Sequence, residues 1–232
     1  MALVRLNKYL KDQNICSRRK ADEFISMGYV LVNNIIITEL GTMIDPEVDR
    51  VTVSNNLHKV INSFRYILLN KPINYVCSKN RNEGKLIFDL LPQIKDLTYA
   101  GRLDKDSHGL IILSNDGRFV YKVAGSEFEV EKEYLVRVDK PITPQFILRH
   151  TNSSIRLDGK LLKPAKIHII NQFVYKITLT EGVNRQIRRM AEALSYKVLD
   201  LKRIRIAHIT DKNLAIAKWR YLTQDEIKKF SL

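Results

Sequence analysis

The first 54 residues place apolar side chains at the spacing of two short helices and then of short strands. The apolar positions of the helices are Leu3, Leu6, Leu10, Ala21, Phe24 and Ile25. Ser17 is a suitable N-cap for the second helix, and Gly28 ends it. Strands are predicted at residues 29–32, 35–37 and 51–53, the first two joined as a hairpin by two asparagines. This order predicts a small α/β domain over residues 3–54.

From residue 64 onward the pattern changes to longer strands that alternate with helices. Strands are predicted at residues 64–69, 75–77, 110–113, 131–138, 173–180 and 199–206. Helices are predicted at residues 85–91, 118–124 and 141–150, from 186 onward, and after Thr223. These elements predict a large mixed, mostly antiparallel sheet flanked by helices, so the fold class is α+β. The polar segment 55–63 is predicted to be a linker, which makes residues 64–232 a second domain.

Composition excludes several classes of protein. With 232 residues and 45% hydrophobic content, the chain can bury a sizeable core. No apolar run approaches the roughly 20 residues that span a bilayer, and the N-terminus lacks a signal-peptide core, so we expect a cytoplasmic protein. Cys16 and Cys77 lie far apart, and the five histidines are scattered, so we expect no metal site.

The net charge of +14 is the strongest compositional signal, because a field of this sign attracts phosphate backbones. Residues 5–20 carry six cations against one carboxylate, and residues 184–205 carry seven against two, so each segment has a net charge of +5. The second segment includes Arg203 and Arg205, which alternate with isoleucines and predict an exposed basic strand. Two separate basic surfaces favour a long nucleic acid over a membrane or a DNA regulator that uses a helix-turn-helix.

Residues 100–117 are the most informative stretch of the chain. Gly101, Arg102 and Asp104 precede a short apolar strand at residues 110–113, and residues 115–117 close that strand as a turn. This order holds a carboxylate at the mouth of a rigid element, close to a cation. A purely structural interpretation remains possible, in which the carboxylates here bind turn amides.

Three motifs together resemble the RNA pseudouridine synthases, specifically the RsuA/RluB/RluF group. They are Gly-Arg-Leu-Asp at 101–104, Lys-Glu-Tyr at 132–134 and Asn-Arg-Gln-Ile-Arg-Arg-Met at 184–190. The resemblance implies an isomerase that needs no cofactor and in which Asp104 is catalytic, as nucleophile, base or stabiliser of charge at C1′. It further implies that Tyr134 packs on the target base, that Arg188 pairs with Asp104, and that Arg102 fills the space left by a flipped uridine.

The N-terminal domain resembles an S4 RNA-binding domain over residues 3–54. Its predicted RNA contacts are Arg5, Lys8, Arg18, Arg19 and Lys20. The remaining polar members of the synthase motifs, Lys71, Arg185, Gln186 and Arg189, are also expected to contact RNA. Asn34 and Asn74 stand where these families usually have glycine, and Asn34 still suits a left-handed turn.

The details of the second and third motifs look most like the RluF branch. That resemblance implies an enzyme that modifies large-subunit (23S) ribosomal RNA and in some cases tRNA, and we expect it to be a monomer. Small-subunit ribosomal RNA is the close alternative, because the catalytic motifs do not discriminate substrates. The alternative from another class is a non-catalytic RNA-binding protein of ribosome assembly that kept the scaffold, for which the two basic surfaces would suffice.

Overall fold

The structure is a computed structural model, and it describes residues 3–54, 64–94, 96–152, 155–210 and 213–230. The predicted linker, residues 55–63, lies outside the described residues. Six α-helices are described: α1 Leu6–Asp12, α2 Arg18–Ser26, α3 Gly117–Ala124, α4 Pro144–Thr151, α5 Gln186–Glu192 and α6 Gln224–Lys228. None of the helices in this described part is long and apolar enough to cross a membrane.

Eighteen strands, most of them short, occur in the same part of the chain. They are β1 Val4–Arg5, β2 Val30–Val32, β3 Ile35–Ile37, β4 Met43–Ile44, β5 Val51–Val53, β6 Tyr66–Lys71, β7 Tyr75–Val76, β8 Lys85–Leu86, β9 Thr98–Ala100, β10 His108–Ser114, β11 Lys132–Val138, β12 Arg156–Leu157, β13 Lys160–Leu161, β14 Lys166–Asn171, β15 Val174–Leu179, β16 Val198–Ile206, β17 Ile209–Thr210 and β18 Trp219–Tyr221.

The N-terminal domain has the predicted helix-helix-hairpin arrangement. Ser17 caps α2 by accepting a hydrogen bond from the Lys20 amide, and the apolar faces of α1 and α2 pack on β2. β2 pairs antiparallel with both β3 and β5. Asn33 and Asn34 both have positive φ, at 52° and 65°, so asparagine supports the left-handed turn of this hairpin.

The second domain is built on a nine-stranded mixed sheet in the order β14-β15-β11-β16-β10-β6-β18, with β9 and β17 at its sides. β10 and β16 pair in parallel, whereas the other described pairs of this sheet are antiparallel. Gly109 makes the parallel pairing possible, because a Cβ there would lie only 2.3 Å from the carbonyl oxygen of Arg203. The predicted fold class, α+β with a mostly antiparallel sheet, is confirmed.

Two local predictions are wrong. Residues 85–91 were expected to form a helix, but they form β8 and a 3₁₀ turn, Ile87–Leu90, and the backbone amide of Leu86, before this turn, donates to the carboxylate of Asp89. The strand at 199–206 was expected to be exposed and basic. Instead β16 lies between β11 and β10 in the middle of the sheet, which leaves Arg203 only 2% exposed. The alternation of basic and apolar residues could not show that Arg203 is buried, because its burial depends on the strands that pair with β16.

The two domains touch at the N-terminus of α3. The guanidinium of Arg118 donates a hydrogen bond to the carbonyl oxygen of Asn14 and also contacts Asp116, the N-cap of α3. Gly117 is packed so closely that an added Cβ would lie 2.7 Å from Oγ of Ser17. The loop between α1 and α2 is therefore docked on the helix that follows β10.

Candidate active site

Asp104 lies in the loop between β9 and β10. The loop begins at Gly101, whose φ of +79° favours glycine, and it closes where the Ser107 amide donates to the Asp104 carbonyl oxygen at 3.1 Å. Leu103 is buried against the core, with its amide 3.4 Å from Sγ of Cys77. Anchoring on both sides directs the carboxylate of Asp104 outward, and its side chain is 30% exposed.

Lys71 holds this loop from beneath. Its side chain is fully buried, and Nζ donates to the carbonyl oxygens of Pro72, Asp104 and Ser107 at 3.1, 3.0 and 2.6 Å. Burial lowers the pKa of Lys71 to about 8. The prediction that Lys71 contacts RNA is therefore wrong, because its ammonium group is used inside the protein to fix the backbone of the loop.

Arg188 also binds this loop, but not through the carboxylate of Asp104. Its Nη2 donates to the carbonyl oxygen of Asp106 at 2.9 Å and to Oγ of Ser107 at 3.2 Å, while Nη1 donates to the carbonyl oxygen of Val198 at 3.2 Å. Its Nε lies 3.3 Å from Oδ2 of Asp106. The predicted pair between Arg188 and Asp104 is wrong, because the first two residues after Asp104 turn the loop so that Asp106 faces α5.

The guanidinium that does reach Asp104 belongs to Arg185. It donates two hydrogen bonds of 3.2 Å to the carboxylate of Asp106, and Nη1 lies 3.7 Å from Oδ2 of Asp104. Arg185 is the N-cap of α5 and has a left-handed backbone, with φ at 49°, which carries its side chain toward the loop. Burial would raise the pKa of Asp106, but the hydrogen bonds of Arg185 and the charge of Arg188 outweigh it and lower that pKa.

The neighbours of these arginines are also held by other side chains of the protein. Gln186 is buried, donates from Nε2 to Glu181 at 2.7 Å and accepts from the Val183 amide at 3.0 Å. The amide of Gln186 thus braces the turn that starts α5, and because Gln186 also lines the cavity beside Asp104, its RNA contact stays a prediction. Arg189 makes two hydrogen bonds, of 3.0 and 2.6 Å, to the carboxylate of Asp158, and its RNA contact stays a prediction.

A cavity of about 200 Å³ lies beside Asp104. Its polar and aromatic lining includes Arg102, Asp104, Lys132, Tyr134, Arg185 and Arg203. Arg102 is exposed, whereas Tyr134 is partly buried and packs against two apolar clusters of the second domain. The cavity thus brings together a carboxylate, an aromatic ring and an exposed cation, as the motifs predicted.

Arg203 is a site residue that the sequence interpretation missed. It lies opposite Tyr134 in the register of β16 and β11, and its guanidinium carbon is 6.0 Å from the Tyr134 ring centre. Nε donates to the carbonyl oxygen of Leu110 at 2.6 Å, and Nη1 lies 3.4 Å from that of Arg102. Arg203 therefore connects the loop that carries Asp104, β10 and the aromatic wall of the cavity.

Lys132 is a second missed residue, although it begins the Lys-Glu-Tyr motif. Its side chain lines the cavity, the residue is 8% exposed, and Nζ donates to the carbonyl oxygen of Val130 at 3.0 Å. Burial, reinforced by the charge of Arg203, lowers the pKa of Lys132 to about 8. The sequence could have indicated this position, because residues 132 and 134 are two apart on one predicted strand and therefore face the same side of the sheet.

The predicted RNA-binding cations of the N-terminal domain differ in exposure. Arg5, Lys8, Arg18 and Arg19 are exposed, whereas Lys20 is partly buried and pairs with Glu23 at 2.5 Å. Asn74, the other departure from a family glycine, has φ at 69° and donates its amide to the carbonyl oxygen of Lys105 at 2.7 Å. Asparagine therefore preserves the turn that supports the loop carrying Asp104.

Comparison with known proteins gives the family that the three motifs resemble, over nearly the whole chain. Residues 65–193 match the family described as RNA pseudouridylate synthase, and residues 4–49 match the S4 domain. The dual-specificity RNA pseudouridine synthase RluF of Escherichia coli O6:H1 is 42% identical over 97% of this chain and 77% of its own. The ribosomal large subunit pseudouridine synthase B of Bacillus subtilis is 35% identical over 98% of this chain and 95% of its own.

A solved structure extends this likeness to three dimensions. The crystal structure of a pseudouridylate synthase, 30% identical, superposes with a TM-score of 0.72 and covers 98% of this chain and 99% of that one. Family match, relatives and fold agree with the cavity and its motifs. The chain belongs to the RNA pseudouridine synthase family and carries an N-terminal S4 domain.

Proposed function

We propose that this pseudouridine synthase isomerises a specific uridine of large-subunit (23S) ribosomal RNA, with Asp104 as its catalytic carboxylate. The observation that carries the proposal is the cavity in which Asp104, Tyr134 and the exposed Arg102 meet. A uridine stacked in a helix cannot enter such a cavity, so the nucleotide must first be flipped out. Arg102 is suited to occupy the space that the base leaves.

The reaction breaks the bond between N1 of uracil and C1′, turns the base and joins C5 to C1′. Asp104 attacks, accepts a proton or stabilises positive charge at C1′, and its exposure to the cavity suits each of these roles. Tyr134 holds the plane of the uracil against the sheet while the base turns. No atoms are gained or lost overall, because the proton released from C5 balances the one taken up at N1.

Arg188 has a positioning role in this proposal. It binds the carbonyl oxygen of Asp106 and the hydroxyl of Ser107, and together with Lys71 it fixes the loop that presents Asp104. Because Lys71 and Arg188 bind backbone and hydroxyl oxygens of the loop, they hold the carboxylate of Asp104 in place without covering it.

The choice of 23S ribosomal RNA rests on the relatives. The matched Bacillus subtilis enzyme is named for the large subunit, and RluF is named for dual specificity, which favours a second RNA substrate. We expect that second substrate to be tRNA. Small-subunit ribosomal RNA is the close alternative. A monomer in the cytoplasm remains our expectation. The same exposed cations would serve any of these RNAs, since phosphate contacts carry no sequence information.

Mapping of pseudouridines by carbodiimide-dependent reverse-transcription stops tests the proposal. Ribosomal RNA from cells with and without the protein should differ by a stop in 23S RNA, and a stop in 16S RNA instead would favour the alternative. Asp104→Asn should abolish that stop while RNA affinity stays within about tenfold, because a single carboxylate adds little to phosphate-driven binding. Turnover by Asp104→Asn would refute the assignment, and an unchanged pattern in both RNAs would favour an assembly protein.

A further inference from the structure

The cavity contains two buried cations that no described carboxylate neutralises. Lys132 and Arg203 are 8% and 2% exposed, and neither forms an ion pair among the described residues. The hydrogen bonds that Lys132 and Arg203 do make are to backbone carbonyl oxygens. Nη2 of Arg203 has no hydrogen-bond partner at all in the described part of the chain. A buried charge without a counter-charge costs several kcal/mol, so it requires an explanation.

Carboxylates are available nearby, but they are directed elsewhere. Glu131 and Glu133 flank Lys132 in the sequence and pair with Arg205, and Glu131 also pairs with Lys166, on the other face of the sheet. Within the cavity, Asp104 contacts Arg185 and Glu181 accepts from Gln186. The sequence therefore supplies a carboxylate on either side of Lys132, yet the fold pairs neither of them with its ammonium group.

We propose that Lys132, supported by Arg203, stabilises the negative charge that develops on the uracil ring when the bond between N1 and C1′ breaks. This inference rests on the proposed role of Asp104. When that bond breaks, its electron pair stays with the uracil and spreads over N1 and the two carbonyl oxygens. The bond from C5 to C1′ uses this electron pair, the negative charge returns to the ring when the C5 proton leaves, and it ends when N1 takes up a proton. A fixed cation in a dry cavity stabilises such a transient anion more strongly than water does.

The position of Lys132 favours the base over a backbone phosphate. Lys132 lies two residues from Tyr134 on one strand, so both face the space where the uracil plane would pack. Phosphates lie outside the flipped base, where the exposed Arg102 and the partly exposed Arg185 are better placed to meet them. Arg203 lies beneath Tyr134 and has no acidic partner there, so it adds to the positive potential on the same side.

The test compares Lys132→Met and Lys132→Arg with the wild type by three measurements: RNA affinity, single-turnover rate with saturating enzyme, and thermal stability. Lys132→Met should lower the single-turnover rate by about 100-fold, the scale for loss of one anion-stabilising group. RNA affinity should stay within about threefold, since no phosphate contact is lost. Melting temperature should stay equal or rise, because an unpaired buried charge has been removed.

Lys132→Arg keeps the charge and should recover most of the rate. Lys166→Met is the matched control, because it removes an exposed cation of β14 that pairs with Glu131. If Lys132→Met weakens RNA binding and leaves the single-turnover rate unchanged, Lys132 binds phosphate and the inference is overturned. A lower melting temperature with a lower rate that arginine does not restore would make Lys132 structural. Residual activity of Asp104→Asn would instead contradict the proposed function, so the two failures can be told apart.

Discussion

Asp106 binds the guanidinium of Arg185 with two hydrogen bonds of 3.2 Å, whereas Oδ2 of Asp104 lies 3.7 Å from the same guanidinium. Two carboxylates thus share one cation, and Asp106 holds it more closely. Asp106 also contacts Arg188, so it engages both arginines of α5 that face the loop. The carboxylate proposed to react is left with a single longer contact, which keeps it available to a substrate.

Replacing Asp106 by asparagine should bring Arg185 onto Asp104. A guanidinium that pairs directly with a carboxylate stabilises its charge and makes it less reactive, so the single-turnover rate should fall about tenfold. The double variant Asp106→Asn/Arg185→Gln should recover part of this loss, with Arg185→Gln alone as the control. A double variant as slow as Asp106→Asn would mean that Asp106 acts by supporting the loop and not by holding Arg185.

Replacing Lys71 by methionine should destabilise the protein. Methionine fills a similar volume but leaves the carbonyl oxygens of Pro72, Asp104 and Ser107 without their donor. Removal of the buried charge offsets part of this loss, so we expect a decrease of about 2–3 kcal/mol in the free energy of unfolding. Urea unfolding of the two proteins measures the difference. A variant as stable as the wild type would show that the loop holds its shape without the ammonium group.

Activity should fall as the pH rises through about 8. The pKa of Lys132 is lowered to about 8 by burial and by the charge of Arg203, so its proton is present below that pH and lost above it. If the charge of Lys132 stabilises the uracil anion, the single-turnover rate decreases over this interval. The charged and titratable groups that share the cavity with Lys132 are Arg102, Asp104, Tyr134, Glu181, Arg185 and Arg203.

Lys132→Arg distinguishes Lys132 from Lys71, whose pKa is also lowered to about 8. Arginine keeps its proton over the whole range, so the variant should retain activity at higher pH than the wild type. A profile that still falls near pH 8 in Lys132→Arg would assign the titration to Lys71 or to the RNA. Rates between pH 6 and pH 9, measured with enzyme in excess, decide between these results.

Replacing Arg18 and Arg19 together by alanine should weaken RNA binding without base preference. Both side chains are exposed at the first turn of α2, and the cap that starts this helix uses Ser17. Loss of two phosphate contacts should reduce the slope of log affinity against log salt by about 2. The control is Lys166→Ala, an exposed cation on the distant edge strand β14. An unchanged salt slope would remove these arginines from the RNA interface.

The sequence predicted the parts of the site that depend on short-range order. Asp104, Arg102 and Tyr134 all line the cavity, as the motifs indicated. The misassigned residues depend instead on contacts across long stretches of chain. Lys71 binds a carbonyl oxygen that lies 33 residues away in the sequence, and Arg203 binds one that lies 93 residues away. The local sequence therefore cannot show where either side chain points. A one-residue change in strand register would have turned Arg203 outward, as the alternating pattern suggested.

The contact of Arg118 with Asn14, together with the tight packing of Gly117 on Ser17, has a consequence for how a target is chosen. Arg18 and Arg19 directly follow Ser17, the residue that packs on α3. If these arginines bind phosphates as proposed, an RNA that reaches both them and Asp104 has to carry its uridine at a particular distance from the bound phosphates. The spacing between two contacts on the folded RNA would then help to define the target, even though phosphate contacts carry no base information.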